Sequence, residues 1–163
     1  MNKGKRKPLR YAYKQEVKSQ DLKTLDKSDL PKVNQDLDLH GIIVALGERA
    51  LNSIWLGNNV ECLGENAEEM YSFIDHERPI AGNDLLRITS GIYQTIEGDF
   101  KAFDTGSTSH WFYIRAWDGG GFYIETNDPK VKELLKSQFQ AVEDIEEMHP
   151  RYEGLFIPCS HQV

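Results

Sequence analysis

An α+β fold, with a small antiparallel β-meander of three to four strands packed against helices, is predicted by three observations in this 163-residue chain. Between Trp111 and Thr126 the sequence WFYIRAWDGGGFYIET alternates side-chain character on both sides of a triple glycine, the pattern of a β-hairpin. Before it, Leu85, Ile88, Ile92 and Ile96 recur at helical spacing, as do Val131, Leu134, Leu135 and Phe139 after it. Charge also divides the chain. Residues 1–35 hold ten Lys/Arg against four Asp/Glu, whereas residues 36–163 hold nine against twenty-two. A positive segment therefore precedes a strongly negative body. The expected organisation is a disordered or weakly ordered basic arm over 1–36, with a short helix near Tyr11–Leu22, and a single domain over 37–163.

Element by element, the periodicity predicts a helix over Ile42–Leu56, ended by Gly57-Asn58-Asn59, and a brief extended piece at Val60–Leu63. A short acidic helix is expected over Asn66–Phe73 with Asn66 as N-cap, followed by a loop at 75–82 around Pro79. A stronger helix should run from Asn83 to Ile96 with Gly91 inside it, and Glu97-Gly98-Asp99 should turn the chain. Phe100–Phe103 reads as a strand and 104–109 as a connection. After the hairpin, Asp128-Pro129 places an N-cap and an N1 proline at the start of a helix reaching Phe139. Ala141–Ile145 is expected as an edge strand, and Leu155-Phe156-Ile157 as an apolar knot docked on the body.

The hairpin carries the candidate site. With Gly119-Gly120-Gly121 as its loop, Asp118 pairs with Phe122, Ala116 with Ile124, Ile114 with Thr126, and Arg115 with Glu125. Phe112, Ile114, Ala116, Phe122 and Ile124 then share an apolar face. Trp111, Tyr113, Arg115, Trp117, Tyr123 and Glu125 share the other. Aromatic rings beside an arginine are the residue types that dominate recognition surfaces. The same rings are equally consistent with a second core wall, closed by the helix at 42–56 or by Leu155–Ile157.

Other chemistries find little support in the sequence. No HExxH, paired CxxC, GxSxG, GxGxxG or GxxxxGK[ST] occurs. Asp75-His76-Glu77 and Cys159-Ser160-His161 fall short of a ligand set, so neither a metal nor another cofactor is expected. Cys62 reads as a small core residue. Glu65, Glu68 and Glu69, and again Glu143, Asp144, Glu146 and Glu147, read as solvated acidic faces able to steer a basic partner. No apolar run approaches the roughly 18 residues of a membrane span. Two cysteines outside any disulfide framework point to a reducing cytoplasm. The expected function is that of a non-enzymatic binding protein, of adaptor, inhibitor or immunity type. It would hold a protein partner, basic in one version, through the aromatic face and the acidic surface, with homo-oligomerisation left open. Alternatives are a small-ligand or single-stranded nucleic-acid binder stacking on the same face, nucleic acid being otherwise admissible only on the basic arm, and an enzyme with a loop-built site.

Overall fold

Asp38 caps the first helix in the computed structural model, which describes residues 37–145 and 152–159. Its carboxylate accepts the backbone N–H of Gly41 at 2.7 Å, satisfying a donor that the first helical turn leaves open. Helix α1 (Leu39–Leu46) buries Leu39, Ile42, Ile43 and Leu46. Gly47, at φ +74°, separates it from the single turn α2 (Glu48–Leu51). The predicted helix 42–56 is thus two short helices, and the chain is already extended at β1 (Ile54–Gly64). There Ile54 and Leu56 are exposed and Trp55 is buried, a period of two that outweighs the helical spacing upstream.

Helix α3 (Ala67–Asp75) follows, then the two-residue strand β2 (Ile80–Ala81), α4 (Gly82–Thr89) and the long strand β3 (Ile92–Phe103). The predicted helix 83–96 therefore ends at Thr89. Ile88, Ile92 and Ile96 stand four residues apart, a spacing that fits a helical face and one face of a strand alike. The chain leaves the helix at Gly91, whose carbonyl accepts the Asn66 N–H at 3.1 Å. Asn66 makes no side-chain cap for α3; its amide instead donates to the Ile88 carbonyl at 3.2 Å, closing the end of α4. Glu97-Gly98-Asp99 is not a turn but the middle of β3. Gly98, at φ +143°, lies against Val60 beside a break in the β1–β3 register.

The hairpin strands are β4 (Phe112–Ala116) and β5 (Gly121–Thr126). Helix α5 (Pro129–Gln138) begins as expected, with Asp128 accepting the Lys130 N–H at 2.9 Å. The edge strand forms as β6 (Glu143–Ile145). Residues 153–158 form β7 (Glu153–Pro158), paired along β5, so the apolar knot is a full strand. Among the described residues seven strands make one antiparallel sheet in the order β2-β1-β3-β4-β5-β7-β6. The expected meander of three to four strands is its centre. Both edge strands are only two or three residues long, which limits pairing with other chains. The basic arm, the helix expected near Tyr11–Leu22, and Glu146, Glu147 and His161 lie outside the described residues.

Five helices among the described residues lie on one face of the sheet. They share a core with Trp55, Phe100, Phe112, Ile114, Ile124 and Leu155. Arg49, from α2, ties this layer together. Its guanidinium lies 4.2 Å from the Trp111 ring centroid and pairs with Asp104 at 2.8 Å and Asp128 at 3.2 Å. The hydrogen bond from Arg49 holds the Asp104 carboxyl below its ordinary 3.8. A lowered carboxyl stabilises the fold above its unfolded value, and that contribution disappears as pH falls through the lowered one. Melting temperature measured between about pH 5 and 2 should therefore fall less steeply in Arg49→Ala than in the parent. Parallel curves would show that the pair carries no linkage.

Candidate functional site

The glycine loop sets which side chains of the hairpin face away from the helices. Trp117 donates its N–H to the Gly121 carbonyl at 3.0 Å, and Gly120 donates to Trp117 at 2.7 Å. The loop is thus Asp118-Gly119-Gly120, with Asp118 at φ +46° and Gly119 at φ +70°. Ala116 lies opposite Phe122, Arg115 opposite Tyr123, Ile114 opposite Ile124 and Tyr113 opposite Glu125. This differs from the expected register by two residues on β5. A two-residue displacement changes every partner but no face, because side chains alternate. The expected Arg115–Glu125 pair does not form. Arg115 lies 3.6 Å from Asp99 of β3 instead, and Glu125 stands across from Tyr113.

Tyr113, Arg115, Trp117, Tyr123 and Glu125 do come together on the face away from the helices. They line an open concavity of about 880 Å³ with Lys101, His110 and Phe156. Trp111 does not join them. It precedes β4, turns into the helical layer and is 1% exposed, with its indole N–H on Ser53 Oγ at 2.9 Å. Alternation fails there because the strand begins only at Phe112. Trp117, by contrast, is 57% exposed, and the Arg115 guanidinium sits 5.1 Å from its ring centroid. Such a contact contributes about 0.5–1 kcal/mol at an exposed site.

Hydrogen bonds fix the phenols. Tyr113 donates to Asp99 at 3.0 Å and Tyr123 to Glu125 at 2.6 Å, and their rings meet edge to face at 6.2 Å. Burial first, then the charge and hydrogen bond of Asp99, push the Tyr113 hydroxyl up to about 12. Burial and Glu125 raise Tyr123 likewise. Both stay protonated at neutral pH and act as donors, the opposite of what a tyrosine base needs. His110 stacks on Tyr152 at 4.7 Å, and Tyr152 donates to the His110 carbonyl at 2.8 Å, bracing one end of the concavity.

No family model, curated protein or solved structure matches this chain.

Geometry is therefore the ground for function. Lys101, His110 and Phe156 belong to the face but are not among the binding residues expected from the sequence. Alternation within Phe100–Phe103 and Leu155–Ile157 already separates Lys101 and Phe156 from their buried neighbours; His110 lies in a connection and carries no such signal. Elsewhere, Cys62 and Cys159 are buried and form no disulfide with each other. Burial raises the Cys159 thiol, which disfavours the thiolate needed of a nucleophile. Among the described residues no group of three or more His, Cys, Asp or Glu is placed to hold a metal, and no helix is long and apolar enough to cross a membrane.

Proposed function

We propose that this is a non-enzymatic binding protein that holds a protein partner on the sheet face opposite the five described helices. One observation carries the proposal: Trp117, Tyr113, Tyr123 and Arg115 share that face, and the most exposed of its three rings is a tryptophan. An exposed indole on a surface built from hydrogen-bonded strands is a preorganised anchor, because little side-chain entropy is lost when a partner covers it. Ile54 and Leu56 extend the apolar surface along β1 at 39% and 42% exposure. The acidic stretches are weaker candidates than composition suggests. Glu69 is held by Arg87 at 2.7 Å, and Asp144 by Lys132 and Lys136 at 3.2 and 2.9 Å. A small ring-bearing ligand is the second reading, favoured by a concavity within the roughly 300–1,000 Å³ of ligand sites.

Trp117→Ala separates recognition from folding. The indole is mostly solvated, so the melting temperature should stay within about 2 °C of the parent. A partner that co-purifies with the full chain from the cell that makes it should be lost in the same variant. Retention of the partner at parental yield would remove the face from recognition.

A further inference from the structure

We infer that the occupant of this face is an extended polypeptide segment that sets carboxylates against Lys101 and Arg115 and an aromatic side chain against Trp117. The inference rests on the reading of the face as a recognition surface and adds the chemistry of what it recognises.

The two signs of charge on the face are not equally available. Two carboxylates of the face are already engaged: Asp99 accepts from Tyr113 and lies beside Arg115, and Glu125 accepts from Tyr123. Both are half-buried. The cations stand further out. Arg115 has 52% of its side chain exposed against 28% for Asp99, and its guanidinium lies 3.6 Å from that carboxylate and 5.1 Å from the Trp117 ring centroid, leaving N–H groups turned to solvent. Lys101 is exposed and lies 6.0 Å from the Tyr113 ring centroid. What the face presents outward is thus N–H donors set among ring faces, the arrangement that accepts a carboxylate beside an apolar group.

Register gives the spacing. Lys101 lies opposite Tyr113 and Asp99 opposite Arg115, and Trp117 follows Arg115 by two residues, just past the end of β4. These are three successive rows on one face, about 6–7 Å apart along the strands. An extended chain laid along β4 repeats its own side chains at the same interval, so positions i, i+2 and i+4 meet Lys101, Arg115 and Trp117. The matching pattern is acidic-x-acidic-x-aromatic. A nucleic-acid strand would also bring anions and rings, but with a charge on every nucleotide. Residues 36–163 carry nine Lys/Arg against twenty-two Asp/Glu, and that field opposes a polyanion far more than a segment with two carboxylates.

The test uses the full chain and its tryptophan fluorescence, in which Trp117 is the solvent-exposed indole and Trp55 and Trp111 are buried. Three probes are titrated to about 1 mM: the peptide acetyl-GESESFG-amide, its acetyl-GKSKSFG-amide counterpart, and octathymidylate. The acidic peptide should give a saturable change that Trp117→Phe abolishes, and the basic peptide should bind about tenfold more weakly. Lys101→Glu should reverse that order. Equal or tighter binding of the basic peptide, with the signal still dependent on Trp117, would overturn the charge assignment while leaving the face as a recognition surface. Tighter binding of octathymidylate would overturn the peptide assignment in favour of nucleic acid. Absence of any Trp117-dependent signal would overturn this inference by itself; the recognition surface falls too only if Trp117→Ala also keeps its cellular partner.

Discussion

Trp111→Ala is expected to lower the free energy of unfolding by about 3–5 kcal/mol, the range for truncating a large buried aromatic. At 1% exposure the ring has no route to solvent, so the substitution leaves a void under α2. Three further losses accompany it. Ser53 Oγ loses the indole N–H, the Arg49 guanidinium loses the ring 4.2 Å away, and the tilted ring contact with Phe112 at 5.4 Å disappears. Arg49 keeps its two carboxylates, so a Trp111→Phe variant, which restores most of the packing without the N–H, should recover more than half of the cost. Chemical denaturation of the three proteins measures this directly. A loss under about 1 kcal/mol in Trp111→Ala would mean that the indole is not part of the core. The comparison with Trp117→Ala, expected to be nearly neutral, matters most. Two tryptophans six residues apart serve opposite ends of the hairpin, one holding it to the helices and one presented outward.

That division explains what the sequence could and could not reveal. Local chemistry was legible where it had one solution. Asp128-Pro129 starts a helix, and a glycine-rich loop joins two alternating strands whose faces separate as expected from Phe112 to Thr126, Trp111 excepted, even with the partners two residues out of register. Ambiguity entered where one spacing served two structures. Ile92 and Ile96 are four apart in a helix and in a strand, so β3 was expected to be four residues long and runs from Ile92 to Phe103. β2 and β7 became strands only by pairing with β1 and β5, a long-range cause that no local window contains. The candidate face shows the same limit. Tyr113, Arg115, Trp117, Tyr123 and Glu125 follow from alternation along one hairpin. Lys101 and Phe156 join them only because β3 and β7 are the neighbours of β4 and β5. Trp111 left the set because alternation has no authority one residue before a strand begins.

Gly82→Ala should cost about 2–3 kcal/mol, at the upper end for overpacking a filled site. Gly82 opens α4 with its N–H on the Ser53 carbonyl at 2.9 Å. A methyl group there would be driven into the backbone carbonyls of Ala50 and Leu51, which no rotamer change can move aside. Relief requires α4 to retreat from α2, and that retreat pulls on Ser53. Ser53 is also the acceptor for the Trp111 indole and donates to the Arg49 carbonyl at 2.6 Å. The two substitutions therefore disturb one shared residue from opposite sides. Once Trp111 is gone, the segment around Ser53 has room to give, and the added methyl should be tolerated better. The double variant Gly82→Ala/Trp111→Ala is thus expected to be more stable than the sum of the single costs allows, by about 1 kcal/mol or more in a double-mutant cycle. Asn83→Ala, exposed and next in the chain, should show no such coupling. Strict additivity would mean that α4 and β4 are anchored independently. Coupling would place Ser53 at the joint that fixes the start of β4, and with it the direction in which Tyr113, Arg115 and Trp117 are presented.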